Sequence, residues 1–324
     1  MKKILSLLLV TVLLFSFNTS VFANDNINDG LEQEKTNKIF EYNITPNDQE
    51  WKKLSNKQEM LDATRIPNDV LKKMTTEEVV NAVLDYPLVI NIYAYDTYEA
   101  GLKALAQDSD AFGELLNRPD GGNELLKKLQ VNKTLSSESS LEDLTLSVLL
   151  TETAIWNSVS DKKLAKDLVL TATNSTVRTP KGTSVPVIIR GEELTFTQKT
   201  QLNNSYINSY PSATLVSTST SNYNCHSYAW YSDSTSNTYW MNDPSPYMTD
   251  GSYSSFTNLI NAVIGTRVYY DYGEHSGIVY EAGGPLASVK YLKVISKWGM
   301  APLMKHRADY SPYASENLTI WKKN

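Results

Sequence analysis

Between Asp48 and Thr171 apolar residues recur every three or four positions, whereas beyond Thr173 they gather into short runs rich in β-branched residues. The first texture predicts helices. Thr75-Thr76-Glu77-Glu78 is a capping box ahead of Val79, Val80, Val83 and Leu84, and Pro87 closes that helix. A second helix is predicted over residues 88–105, although Val89-Ile90-Asn91-Ile92-Tyr93 alone has the pattern of a strand. Residues 117–122 form a Pro- and Gly-containing break, and helical patterns resume over 124–129, 141–156 and 162–170. The second texture predicts strands over 184–190, 266–272, 275–281 and 289–296, with one helix over 195–210 closed by Pro211. The expectation is an α+β protein: a helical bundle, then a mixed domain.

Composition sharpens that division. Residues 24–175 carry 16 Lys and Arg against 26 Asp and Glu, while residues 176–324 carry 12 against 10. The second part also holds 15 of the 20 tyrosines. Two such different compositions predict two domains, an acidic helical one over 47–173 and a second over 174–324. Ahead of them, residues 1–23 read as a signal peptide: Lys2 and Lys3, an apolar run over 4–17, and the cleavage pattern Val21-Phe22-Ala23. That run is shorter than the ~20 residues a membrane span needs, and no later stretch is longer. Residues 24–46, rich in Asn, Asp, Glu and Lys, read as a disordered leader. The mature chain is therefore expected outside the cell, secreted or held at the cell surface, with no membrane segment left. No basic stretch suggests nucleic acid, which the acidic half would repel.

The candidate chemistry lies in the last hundred residues. The chain has one cysteine and three histidines: Cys225, followed at once by His226, then His275 and His306. One cysteine excludes an internal disulfide, so stability must come from packing. A thiol beside an imidazole is the usual arrangement for a nucleophile near neutral pH. Tyr223-Asn224-Cys225-His226-Ser227-Tyr228-Ala229-Trp230 follows a polar loop and contains no Pro or Gly. A helix opening at Cys225 would set its sulfur against unpaired N–H groups and a positive dipole end, both of which lower a thiol pKa. His275 begins the strand-like His-Ser-Gly-Ile-Val. Adjacent helix residues point about 100° apart, so His226 is not expected to serve Cys225 as base. Zinc is disfavoured for the same reason: structural sites bring close ligand pairs, and here the one close pair diverges. No metal and no cofactor are expected.

Three blocks, Tyr-Asn-Cys-His-Ser-Tyr-Ala-Trp, His-Ser-Gly-Ile-Val and Ser-Lys-Trp-Gly-Met-Ala-Pro-Leu-Met-Lys-His, resemble the NlpC-like branch of papain-fold cysteine hydrolases over about residues 177–315. The resemblance implies a papain-like fold, Cys225 as nucleophile, His275 as base and His306 as the residue orienting it. His306 lies 31 residues beyond His275, further than is usual in that family. Ser296 competes for the third place, because Ser296-Lys297-Trp298-Gly299 is similar to the Asn-Ser-Trp-Gly of papain-type enzymes. Asn224 and Tyr223 are candidates to assist beside the nucleophile, and Trp298, with Trp230, Tyr239 and Trp240, lines either a groove or a core. The substrate class the resemblance implies is peptidoglycan peptides. Alternatives on the same scaffold are a protein-directed peptidase, an acyltransferase or a toxin; outside enzymes, a surface binding module whose cysteine is structural.

Overall fold

The computed structural model describes residues 40–136, 138–162, 172–256, 258–270, 274–281, 288, 291–315 and 317–324. The signal peptide, most of the leader and nearly all of the helix expected over 162–170 lie outside the described residues. The chain is a mixed α+β protein. Its first part holds α1 (Lys57–Ala63), α2 (Asn68–Leu71), α3 (Thr76–Leu84), α4 (Tyr98–Asp108), α5 (Asp110–Leu115), α6 (Gly121–Leu135), α7 (Leu141–Leu149) and α8 (Thr153–Asn157). The capping box forms as expected: the Thr75 hydroxyl accepts from Glu78 N at 3.2 Å and the Glu78 carboxylate accepts from Thr75 N at 2.8 Å. Two expectations are corrected here. Phe40, Tyr42 and Ile44, assigned to a disordered leader, pack against the core, and the Tyr42 hydroxyl donates to Ala82 O at 3.1 Å. The single helix expected over 88–105 is instead a 3-10 turn, Val89–Ala94, a break at Tyr95-Asp96, and α4.

That break has a physical cause. The 3-10 turn is buried from Ile90 to Ala94, and distant donors take its carbonyls. Tyr206 Oη donates to Ile90 O at 2.8 Å, Met300 N to Tyr93 O at 2.8 Å, and the Tyr313 hydroxyl to Ala94 O. Two glycines allow the close approach. A Cβ on Gly101 would stand 2.3 Å from Ile92 O, and one on Gly299, whose φ is +53°, would stand 2.3 Å from Tyr93 O. The turn is thereby clamped between α4 and the loop after Trp298, and Asp96 follows directly from it.

The second part begins with the hairpin β1 (Ala172–Arg178) and β2 (Ser184–Arg190), followed by α9 (Phe196–Ser209). β3 (Thr214–Ser217), β4 (Tyr253–Phe256), β5 (Arg267–Tyr269), β6 (Ser276–Glu281), β7 (Lys293–Lys297), β8 (Leu303–Arg307) and β9 (Thr319–Lys323) make one antiparallel sheet in the order β3-β8-β7-β6-β5-β9-β4. Strand residues alternate between its faces. Val268, Val279, Val294, Met304 and Ile320 belong to a large core shared with the helices; Tyr269, Ile278, Ile295, Leu303 and Trp321 belong to or pack on a smaller one under Tyr223, Tyr228 and Trp230.

The compositional boundary near residue 173 is thus not a boundary between bodies. Residues 38–324 gather into one compact unit, and the large core runs from Trp51 to Ile320. The first part also bonds directly to α9 of the second: Trp51 Nε1 donates to Ser209 O at 2.9 Å, and Leu141 N to Gln201 Oε1 at 2.8 Å. Among the described residues no helix is long and apolar enough to cross a membrane.

Candidate functional site

Cys225 opens a short helix over residues 225–231, as the sequence predicts, and Asn224 caps it. Asn224 Oδ1 accepts from Ser227 N at 3.1 Å, the N-cap bond, and from Met241 N at 3.0 Å. Its Nδ2 donates to Met241 O at 2.6 Å and to Asp96 Oδ1 at 2.7 Å. The hydrogen-bonding capacity of its side chain is committed, so Asn224 is a positioning residue with no side-chain N–H left for a substrate oxyanion. The helix then widens into π turns over Ser227–Tyr231, closed by Ser232 N on Ser227 O at 3.0 Å.

Asp96 is the residue that sequence reasoning missed. It arrives from the far side of the chain, and its carboxylate gathers the cluster. The Cys225 thiol donates to Oδ1 at 3.5 Å, and His226 Nε2 lies 2.9 Å from Oδ2. Neighbouring helix residues do diverge, yet one carboxylate spans both, and donor atoms of Asp96, Cys225 and His226 all lie within 4.8 Å of one another. The second ring nitrogen of His226 is 2.7 Å from Ser276 Oγ, which also accepts from Trp230 Nε1 at 2.9 Å.

The electrostatics reverse one expectation. A helix start was expected to lower the thiol pKa. Burial raises it instead, the Asp96 carboxylate adds to the rise, and His226 opposes them. Cys225 has 0% of its surface exposed, so the resting group is a buried, protonated thiol. For His226, burial acts to lower the pKa, but Cys225 in its ionised form and the Asp96 carboxylate act the other way and the value rises well above the ordinary one.

The other sequence candidates lie across the sheet. Ser276 faces the cysteine helix, so strand alternation turns its neighbour His275 to the opposite face. There the His275 ring stacks on Tyr313, with centroids 3.7 Å apart and planes 9° apart, and among the described residues neither ring nitrogen has a hydrogen-bond partner. It is not hydrogen-bonded to Cys225, to His306 or to Ser296. His306 Nδ1 lies 2.7 Å from Arg307 O; a carbonyl only accepts, so this nitrogen carries the proton. His306 Nε2 then accepts from Ser296 Oγ at 2.7 Å. Burial lowers the His306 pKa to about 4, which fixes it as a neutral ring. His306 and Ser296 therefore serve each other and do not orient His275.

The remaining candidates are framework. Trp298 packs edge-on against Tyr206 and Tyr210 at 5.6 and 5.0 Å, in the core and away from any groove. Tyr223 is buried, with Lys297 Nζ 5.3 Å from its ring centroid. Lys297 is itself fully buried, its ammonium donating to Thr220 O, Gly299 O and Ala301 O at 3.2, 2.6 and 2.5 Å. The Ser-Lys-Trp-Gly block thus holds the loop that clamps the Asp96 turn.

The oxygen, sulfur and nitrogen donors of Asp96, Cys225 and His226 form a set that suits zinc in chemistry, with Ser276 positioned to fix the imidazole tautomer. In the described structure the three groups hydrogen-bond among themselves. No family model, curated protein or solved structure matches this chain.

Proposed function

We propose that this chain is an exported cysteine hydrolase of papain-like arrangement that cleaves amide bonds through an acyl-thioester on Cys225. The observation that carries the reading is the Asn224-capped helix, which sets the thiol and an imidazole within 4.8 Å of one another against a shared carboxylate. Resemblance assigns the base to His275; the geometry favours the Asp96 carboxylate, which accepts from the thiol at 3.5 Å, with the His226 ring, whose pKa is raised, as the cation beside the forming thiolate. The Asp96–His226 pair takes the thiol proton as sulfur attacks the carbonyl carbon, and the helix-start N–H groups face the developing oxyanion. The C–N bond breaks, the proton passes to the leaving amine, and water releases the acid and restores the thiol. Because the thiol is fully buried, turnover requires the Asp96 turn to yield. The substrate class, peptides of the bacterial cell wall, rests on the sequence resemblance.

Cys225→Ala is expected to reduce release of new amines from purified wall peptides to background, with the thermal midpoint unchanged. In the wild type, mass spectrometry of a quenched reaction is expected to find the acyl group on Cys225. Turnover retained in Cys225→Ala would overturn the proposal.

A further inference from the structure

Three kinds of donor meet at the cysteine cluster: a thiol, an imidazole and a carboxylate, with ligand atoms all within 4.8 Å of one another. Among the described residues no other set of His, Cys, Asp and Glu side chains converges in this way. His226 Nε2 stands 2.9 Å from Asp96 Oδ2, and the Cys225 sulfur 3.5 Å from Asp96 Oδ1. Ligands of a tetrahedral ion, at bonds of about 2.0–2.3 Å, stand about 3.5 Å from one another. The separations in the cluster lie around that distance. Neighbouring helix residues diverge, yet Cys225 and His226 both reach the same carboxylate.

The surroundings hold each donor ready. Asn224 Nδ2 fixes Asp96 Oδ1 at 2.7 Å. The far nitrogen of His226, Nδ1, lies 2.7 Å from Ser276 Oγ, which also accepts from Trp230 Nε1 at 2.9 Å. A hydroxyl oxygen has two acceptor lone pairs, so Ser276 takes an Nδ1–H as well as the indole N–H. A neutral ring protonated at Nδ1 presents the Nε2 lone pair to the cluster. Metal-ligating histidines are held by an outer-shell acceptor of this kind. Asp96 also lines a cavity of about 660 Å³, from which an ion and a water, as fourth ligand, reach the cluster.

We infer that Asp96, Cys225 and His226 bind one zinc-class divalent ion, through a carboxylate oxygen, the sulfur and Nε2. The ion enters in exchange for protons: the thiol proton and the Nε2 proton that bridges to Asp96 both pass to solvent. Sulfur and imidazole ligands select zinc and cobalt over magnesium and calcium. The inference concerns binding alone and stands without the hydrolase reading, because it is read by spectroscopy and not by turnover.

Absorption titration of the chelator-treated whole protein with cobalt chloride tests it. Saturation is expected at one ion per chain, with a thiolate-to-cobalt charge-transfer band that zinc chloride removes and excess magnesium does not. His226→Gln and Asp96→Asn, which each remove a ligand, are expected to weaken cobalt binding more than tenfold, and Ser276→Ala, which removes the outer-shell acceptor, about tenfold. In the unaltered protein with isotope-labelled histidine nitrogens, zinc is expected to shift the ring signals of one of the three histidines. No band, displacement by magnesium, a band undiminished in both His226→Gln and Asp96→Asn, or zinc shifts at none or several of the histidines would each overturn the inference. The nitrogen signals need no variant, so the result does not depend on how well the variants fold.

Discussion

The two faces of the seven-stranded sheet treat their histidines in opposite ways. On the face under the cysteine helix, His226 holds a carboxylate on one nitrogen and a serine on the other, and its pKa is raised. On the helical face, His275 and His306 are packed among tyrosine and tryptophan rings, and burial lowers both. The residue type and the degree of burial are the same on both sides. What differs is whether an acidic group reaches the ring, and on one side the chain delivers Asp96 from 130 positions away. Three histidines near one cysteine are therefore one chemical group and two pieces of framework.

The largest effect should follow from removing the group that makes the difference. Asp96→Ala removes one of the two acceptors of Asn224 Nδ2, leaving Met241 O, and the carboxylate acceptor of the buried His226 Nε2. Urea unfolding is expected to show a loss of about 3 kcal/mol, whereas an exposed aspartate would cost almost nothing.

A smaller effect separates the faces by pH. His306 binds its proton at about 4 in the folded chain and near 6.5 when unfolded, so between those values the unfolded state holds more protons. The stability contributed by the neutral ring is complete above about pH 6.5 and is lost as the pH falls towards 4. His275, also lowered, acts in the same direction. His226, being raised, acts in the other: its contribution is present below the unfolded pKa and disappears as the pH rises through the folded one. Urea titrations of His306→Gln across this range are expected to show a flatter loss on acidification than the wild type. An unchanged slope would place His306 outside the neutral core.

The contrast between the faces also marks what the sequence could reveal. Local signals were legible: the Thr75 capping box, the strand over 184–190, the helix ended by Pro211 and the helix opened by Cys225 are each set by a few adjacent residues. The 3-10 turn at Val89–Ala94 was not, because its form depends on donors from Tyr206, Met300 and Tyr313 taking its carbonyls. β8 and β9 escaped notice because Leu-Met-Lys-His-Arg and Thr-Ile-Trp-Lys-Lys are short and weakly alternating. The site split the same way. Cys225 and its helix were visible, but its partner was not, since no local pattern links Asp96 to a residue over a hundred positions on. A sequence signal for Asp96 did exist: an acidic residue just before the Thr97 cap, after a run of apolar and tyrosine positions. His275 was misplaced by a single step of strand parity, because the serine beside it faces the helix.

One cysteine means one resonance, so the thiol can be titrated directly by the carbon chemical shift of isotope-labelled Cys225 in the intact protein. The account predicts a midpoint above that of a free thiol in the wild type, a further rise in His226→Gln, which removes the group favouring the thiolate, and no change in His275→Ala. A midpoint below the free value that rises in His275→Ala and stays fixed in His226→Gln would contradict it.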